Sequence, residues 1–262
     1  MWGTGTKDEE TIPSFVAQML HESGASAQVF NFGESGWVST QEMIELQKLL
    51  QQGARPDIVV FYDGVNDTFS AYQNRAAGLP QNERNREIEF NLTHPYRPLT
   101  EVLRVASSAM LSHSRLAQLT GADGAAPVLL PPISYPHRIS STPAEDAVRT
   151  YHTNLRIVSA PGREFDFAPY FYWQPVVFAK SHQTEYEQLM AGQREALKPF
   201  SNDVYSHIVA LQTPVANFHN LGELFQDVKE PIFLDYAHIG AEGNRRIAAA
   251  MVKDLLPALK AK

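Results

Sequence analysis

The feature that most restricts the fold is residues 58–62, an unbroken Ile-Val-Val-Phe-Tyr run. Such a succession of β-branched and aromatic side chains is typical of a parallel strand that helices cover on both faces. A helical pattern over residues 40–52 precedes this run, and an apolar segment over residues 29–33 precedes that helix. Strand, helix and strand in this order predict a βαβ unit, and therefore a parallel sheet in an α/β domain.

Other elements continue the pattern along the chain. Helical spacing of apolar residues predicts helices over residues 12–22, 144–158 and 183–211, and a closing helix with one apolar face formed by Ile247, Met251, Val252, Leu255 and Leu259. The helix over residues 183–211 is expected to break at Pro199. Residues 165–173 are expected to contain another strand, although Pro169 argues against a simple central strand.

Two polar stretches, residues 72–98 and 120–143, are predicted to be long surface excursions. Long loops in a compact domain are more often functional than neutral connectors. Both stretches are therefore candidates for shaping a substrate cleft.

Composition favours one domain spanning residues 1–262. The chain is 44% hydrophobic, which is enough for a substantial core. A net charge of -7 and the lack of a basic run argue against nucleic acid as a partner. No apolar stretch approaches the roughly 20 residues that a membrane helix needs. The nine histidines lack the spacing of metal ligands, and there is no cysteine, so a metal site is not indicated.

Three short segments contain residue types that are suited to catalysis. Each lies at the end of a predicted strand or in a loop before a helix, where open parallel sheets bind ligands. The first covers residues 31–36, with the sequence Asn-Phe-Gly-Glu-Ser-Gly. Because glycine has no side chain, the N–H of Gly36 can closely approach a bound oxyanion. The alternative is that Gly33 and Gly36 only turn the chain.

The second segment is Asp-Gly-Val-Asn-Asp over residues 63–67, directly after the buried strand. A side-chain amide held at a strand end can donate a hydrogen bond to a developing negative charge, which predicts that Asn66 completes an oxyanion hole. The alternative is an ordinary Asn-Asp turn in which Gly64 supplies a positive φ.

The third segment is Leu-Asp-Tyr-Ala-His over residues 234–238, shortly before the last helix. An aspartate three residues before a histidine in a tight loop can hold the imidazole in one tautomer and stabilise its protonated form. Asp235 and His238 are therefore candidates for the orienting acid and the general base of a hydrolase. The alternative is a helix-capping aspartate beside a surface histidine.

In this order the three segments resemble the sequence blocks of the SGNH, or GDSL-like, hydrolase superfamily, in its bacterial lipase/acylhydrolase-like subgroup. Gly36 is similar to the glycine of block II, Asn66 to the asparagine of block III, and Asp235 with His238 to block V. The resemblance covers nearly the whole chain. It implies a three-layer, flavodoxin-like α/β fold with a parallel sheet between helices.

The nucleophile departs from the family pattern. In the family a strand ends in Gly-Asp-Ser or Gly-Gly-Ser, and Gly3 is similar to a glycine that follows this serine by a few residues. The serine is therefore expected just before Met1, and the first strand of the sheet is expected to be absent with it. A misassigned start, a fragment and an inactive relative all fit this pattern. Ser35 is no substitute, because its surroundings are one residue short of a Gly-x-Ser-x-Gly elbow.

The resemblance implies a serine esterase that removes O-acyl groups from a carbohydrate or another small polar ester without a cofactor. The upstream serine would attack the carbonyl, His238 would move its proton, Asp235 would orient His238, and Gly36 with Asn66 would hold the oxyanion. The chain as written is expected to be inactive. A non-catalytic binding domain on the same fold and an O-acyltransferase are the alternatives. Upstream sequence also leaves room for an export signal or a membrane anchor.

Overall fold

The computed structural model describes residues 3–93, 142–210 and 215–260. The helices in these ranges are α1 (Ile12–Glu22), α2 (Ser39–Gln51), α3 (Val65–Asn74), α4 (Glu83–Thr93), α5 (Pro143–Glu164), α6 (Glu185–Gly192), α7 (Lys198–Ala210) and α8 (Ala241–Lys260). The strands are β1 (Ile58–Asp63), β2 (Ala168–Trp173) and β3 (Phe218–Asn220). Single 3-10 turns cover Asp8–Glu10, Val177–Ala179 and Glu195–Leu197.

The three strands form one parallel sheet in the order β1-β2-β3. Its register places Phe61 beside Phe171, and Phe171 beside Phe218. Helices lie between successive strands along the chain, as parallel connections require. The expectation of an α/β fold is therefore met by a three-stranded parallel sheet that is flanked by helices.

Alternation along β1 sends its side chains into two separate cores. Ile58, Val60 and Tyr62 pack into the core that α1 and α8 form, while Val59 and Phe61 pack into the core of α2, α5 and α7. Helices thus cover both faces of this strand, as its unbroken apolar run predicted. None of the helices described is long and apolar enough to cross a membrane.

Within the described ranges, β1 pairs only with β2. The C=O of Asp57 accepts a hydrogen bond from the N–H of Ala168, so the backbone groups of the odd-numbered residues face β2. Alternation then turns the backbone groups of Ile58 and Val60 toward the other side of the strand. That side of β1 is an open edge for the part of the chain that is described.

The strand predicted over residues 29–33 is not formed, and that prediction was wrong. This segment is irregular, with Phe30 and Phe32 exposed by 70% and 58% and Val29 also exposed. An apolar run becomes a strand only when a neighbouring strand satisfies its backbone groups. None of the described strands pairs with this segment, which explains the difference.

The strand predicted within residues 165–173 is confirmed as β2, but it is the central strand of the three, contrary to the argument from Pro169. The ladder between β2 and β3 begins only at Phe171, so the missing N–H of Pro169 interrupts no pairing. The C=O of Pro169 instead accepts a hydrogen bond of 3.1 Å from the side-chain amide of Asn217.

The helices over residues 12–22, 40–52 and 144–158 are confirmed as α1, α2 and α5, with shifted ends for the last two, and the closing helix is confirmed as α8. The break expected at Pro199 lies earlier, after Gly192. Pro199 itself is the second residue of α7, where a backbone N–H would have no helical acceptor, so the N–H that proline lacks is not missed.

The surface excursion predicted over residues 72–98 was wrong in part. The end of α3 and the whole of α4 fall within it. Polar composition alone does not distinguish a loop from a polar helix, which can form on a surface. Residues 94–98, and residues 120–141 of the second excursion, lie outside the described residues.

Candidate functional site

Asp235 and His238 form a hydrogen-bonded pair. The Nδ1 atom of His238 lies 2.7 Å from Oδ2 of Asp235. The other carboxylate oxygen, Oδ1, accepts hydrogen bonds from the backbone N–H groups of Ala237 at 2.8 Å and His238 at 2.7 Å. One carboxylate thus fixes the backbone of the loop and the orientation of the imidazole. With Nδ1 engaged, Nε2 is the ring nitrogen that can exchange protons with a substrate or nucleophile.

Each member of this pair stabilises the charged form of the other. Burial by itself raises the pKa of Asp235, but hydrogen bonds from the ring and N–H of His238 and from the N–H of Ala237 outweigh it and lower that pKa. The hydrogen bond to Asp235 raises the pKa of His238, against the opposing effect of burial. An ionised aspartate beside a more basic histidine is what a general base requires.

The segment around the pair is a closed loop. Phe233 and Ile239 form an isolated antiparallel bridge, and the N–H of Leu234 donates to the C=O of His238 at 2.7 Å. The N–H of Gly240 donates to the C=O of Ile232 at 2.9 Å, just before α8 begins. The Asp235 carboxylate therefore binds N–H groups of its own loop and does not cap α8.

Gln81 lies close to both predicted oxyanion donors. Its Nε2 donates a hydrogen bond of 2.9 Å to Oδ1 of Asn66. Its Oε1 lies 3.4 Å from the position that a Cβ atom on Gly36 would occupy, and Gly36 has a φ of 75°, which favours glycine. Gly36 and Asn66 are thus neighbours across Gln81, and the engaged Oδ1 leaves the Asn66 amide N–H groups to act as donors.

The position of Asn66 depends on contacts between the ends of β1 and β2. Gly64 has a φ of 129°, and a Cβ atom there would lie 2.8 Å from the ring of Trp173. The side chain of Gln174 accepts from the N–H of Val65 at 3.0 Å and donates to the C=O of Tyr62 at 3.1 Å. These contacts fix the turn that starts α3, with Asn66 in its first turn.

An aromatic contact connects α3 with the loop that carries Asp235 and His238. The ring centroids of Phe69 and Tyr236 are 6.3 Å apart, and the guanidinium of Arg194 lies over both rings at 5.7 and 5.5 Å. The helix that carries Asn66 and the loop that carries Asp235 and His238 are therefore in contact through these aromatic side chains. Among the described residues, no hydrogen bond joins Asn66 directly to His238.

The N-terminal turn packs against the same loop. Thr6 donates both its N–H and its hydroxyl to the C=O of Gly3, each at 3.0 Å. A Cβ atom on Gly5 would lie 2.6 Å from Cδ1 of Leu234, the residue before Asp235. A cleft of about 730 Å³ lies beside this turn, lined by residues 3–6 and 31–34 and by Trp37 among others.

Three acidic side chains near this site were not predicted from the sequence: Asp63 and Asp67, which are buried, and Glu42, which is half-buried. Burial raises the pKa of Glu42 to about 7, and burial with the nearby charge of Glu42 raises the pKa of Asp63 well above its usual range. Asp67 is buried as well and accepts from the hydroxyl of Ser39 at 2.6 Å and from its N–H at 3.2 Å. Within the described ranges, no cluster of three histidine or acidic side chains could hold a metal ion.

The structure offers no nucleophile among Ser14, Ser35 and Ser39, the serines near the predicted motifs. The hydroxyl of Ser39 donates to Asp67 and accepts from the side-chain amide of Asn154 at 2.9 Å. Ser14 donates to the C=O of Asp8 at 2.6 Å. Ser35 is exposed. No serine in the described part of the chain is hydrogen-bonded to His238.

Gln81 and Gln174 were also missed by the sequence interpretation. Gln174 carries a weak signal, because it follows β2 at the edge of the sheet where ligands bind. Gln81 carries none, because its importance depends on two partners that are distant in sequence.

No protein-family model matches the chain, and a search of curated proteins finds no similar one.

Proposed function

We propose that this chain carries the general base and the oxyanion hole of a serine ester hydrolase of the SGNH type. The observation that carries the proposal is the 2.7 Å contact between Asp235 Oδ2 and His238 Nδ1 in a closed loop. In this role Nε2 of His238 takes the proton of a serine hydroxyl as it attacks an ester carbonyl. The same nitrogen then returns the proton to the leaving alcohol.

The oxyanion of the tetrahedral intermediate is assigned to the N–H of Gly36 and the side-chain amide of Asn66. Their common neighbour Gln81 supports this assignment, because it holds the Asn66 oxygen and leaves the amide donors for the substrate. Preorganised donors of this kind typically contribute about 10²- to 10³-fold to the rate. Asp235 acts through His238, which it orients and whose charge it stabilises.

The nucleophile belongs to sequence upstream of Met1 in this proposal. Two observations support that position. Gly5, in the turn at Gly3–Thr6, packs beside Leu234, so this turn lies against the loop of Asp235 and His238. The open edge of β1 can also accept a further parallel strand, which would extend the sheet toward a flavodoxin-like arrangement.

The polar lining of the cleft beside the N-terminal turn supports a polar substrate. Its lining includes Thr4, Thr6, Asn31 and Glu34, which offer hydroxyl, amide and carboxylate groups to a polar alcohol. An O-acyl group on a carbohydrate or on another small polar molecule is the ester that fits these contacts. The chemistry needs no cofactor, because the acyl group passes from the substrate to serine and then to water.

The test is esterase activity of an extended protein that contains the in-frame upstream sequence with its Gly-x-Ser. Hydrolysis of 4-nitrophenyl acetate is expected, and His238→Ala should lower kcat by about 10³-fold or more because the general base is lost. His219→Ala is the matched control, since His219 is also paired with an aspartate, Asp254, at 3.1 Å. Equal activity of the two variants and the parent would overturn the proposal.

The chain as given provides a second test of the proposed function. It is expected to show no hydrolysis and no labelling by a serine-directed phosphonate, because no described serine contacts His238. Stoichiometric labelling of this chain would contradict the assignment of the nucleophile. An upstream sequence without a serine would favour a non-catalytic binding domain on the same fold.

A further inference from the structure

Lys180 and Glu187 form an ion pair that is completely buried. Their side chains have no solvent exposure, and Nζ of Lys180 lies 2.8 and 2.6 Å from the two carboxylate oxygens of Glu187. Removing two charges from water carries a large desolvation cost, so stability alone seldom accounts for a buried ion pair. The other partners of the pair show what it holds in place.

The two carboxylate oxygens of Glu187 accept hydrogen bonds from two different segments of the chain. Oε2 accepts from the N–H and the hydroxyl of Thr184 at 2.9 and 3.1 Å, which is the capping box at the start of α6. Oε1 accepts from the backbone N–H groups of Ile232 and Phe233 at 2.9 and 3.1 Å. A capping glutamate needs only the first set, so the second set serves the segment that precedes Asp235.

Lys180 holds the same segment from its other end. Its Nζ donates a hydrogen bond of 2.6 Å to the C=O of Glu230. Three backbone groups between residues 230 and 233 are therefore bound by the two charged side chains. Asp235 follows two residues later, so the ion pair fixes the approach of the chain to the Asp235–His238 pair.

Neighbouring residues extend this support along the loop. The N–H of Val177 donates to the C=O of Tyr236 at 3.0 Å, and the hydroxyl of Tyr186 donates to the C=O of Leu234 at 2.7 Å. The loop is thus held from outside by the region around α6, while Asp235 fixes its interior. The two sets of contacts hold different backbone groups of the loop.

We infer that Lys180 and Glu187 are positioning residues that hold the loop of Asp235 and His238 in its working geometry. This inference rests on the proposed function, because positioning matters to catalysis only if His238 is the general base. The pair touches no substrate and acts through the backbone of residues 230–233. Misplacement of a catalytic group by about 1 Å can cost about 10²-fold in rate.

The test follows the protonation of His238 by NMR, using the chain as given, because this readout needs neither serine nor substrate. Asp235→Asn gives the titration of His238 without its carboxylate partner. Glu187→Gln removes the negative charge and leaves Lys180 unpaired. The double variant Lys180→Met with Glu187→Leu replaces the pair by apolar side chains of similar volume, so that it avoids a buried lone charge.

In Glu187→Gln and in the double variant, the pKa of His238 is expected to fall toward its value in Asp235→Asn. Glu145→Gln is the matched control, because Glu145 completes the capping box of α5 with Thr142. An unchanged His238 titration in the folded double variant, with circular dichroism like that of the parent, would overturn the inference. So would an equal shift in Glu145→Gln.

Activity of the extended protein separates this inference from the proposed function. The double variant is expected to lower kcat by about 10- to 100-fold and to change KM by less than about twofold, as expected for a misplaced general base. An extended protein without esterase activity whose His238 still responds to Glu187→Gln would contradict the proposed function and support the positioning role. An active enzyme with unchanged kcat in the double variant would contradict the positioning role alone.

Discussion

Glu42 and Asp63 place two acidic side chains beside each other at the carboxyl end of β1, close enough for the charge of Glu42 to act on the Asp63 carboxyl. Burial raises the pKa of each group, and the nearby charge of Glu42 raises that of Asp63 further. The unfolded chain loses these protons near the ordinary pKa values of 4.5 and 3.8. The folded protein therefore binds more protons than the unfolded chain above these values.

The contribution of this pair to the free energy of unfolding should therefore be most favourable at low pH. It should decrease as the pH rises from about 4.5 through about 7, where Glu42 ionises in the folded state. Asp63→Asn removes one acid of the pair. It should raise the free energy of unfolding at pH 8 by about 1 to 3 kcal/mol and flatten the decrease with pH. Urea denaturation at pH 5 and pH 8 measures both effects.

Glu45→Gln is the control for Asp63→Asn. Glu45 lies in α2 one turn after Glu42, and its carboxylate forms an ion pair with Lys48. The Lys48 side chain is 57% exposed. Such a pair is worth less than about 1 kcal/mol, so its loss should leave the pH dependence unchanged. A similar flattening in both variants would exclude the Glu42–Asp63 pair as the cause.

Gly64→Ala tests the turn between β1 and α3. The φ of 129° is unfavourable for alanine, and its Cβ atom would meet the ring of Trp173 at 2.8 Å. Strain and overpacking together should lower the free energy of unfolding by about 3 kcal/mol. Gly53→Ala is the control, with a φ of 94° but no atom within 4 Å, so that only the backbone strain of about 1 kcal/mol applies. Equal losses in the two variants would rule out the contact with Trp173.

The sequence predicted those elements whose pattern is local and complete. The run of residues 58–62 predicted β1 with both faces covered, because side-chain alternation alone sends apolar groups to both sides. The apolar face of α8 predicted that helix, since spacing of three and four residues marks one side of a helix. These elements could be predicted without knowledge of their neighbours.

Elements that depend on distant partners could not be predicted in this way. Residues 29–33 have the composition of a strand but lack a described strand to pair with. Pro169 lies in a central strand because β3 is too short to reach it. The same reason applies to the site. Asp235 and His238 are three residues apart and were predicted together, whereas Gln81 and Glu187 act through residues far along the chain.

Asp235→Asn is expected to affect the extended enzyme through His238. An asparagine cannot stabilise the imidazolium as a carboxylate does, so the pKa of His238 should fall, and kcat should fall by about 10³- to 10⁴-fold. The acid limb of the profile of kcat/KM against pH should move to lower pH by the change in the His238 pKa seen by NMR. A large loss of kcat without this displacement would show that Asp235 does not act through the charge of His238.

Hydrogen exchange tests the open edge of β1. In the chain as given, the N–H of Val60 faces away from β2, while that of Phe61 faces toward it, so Val60 should exchange faster than Phe61. Upstream sequence that adds a parallel strand at this edge would bond the Val60 N–H. The difference between the two amides should then shrink by about 10-fold or more, as expected for a new hydrogen bond worth at least about 1.4 kcal/mol. A Val60 amide that exchanges equally in the short and the extended protein would mean that the upstream sequence does not add a strand to β1, because only the amides on the outer side of β1 can gain such a bond.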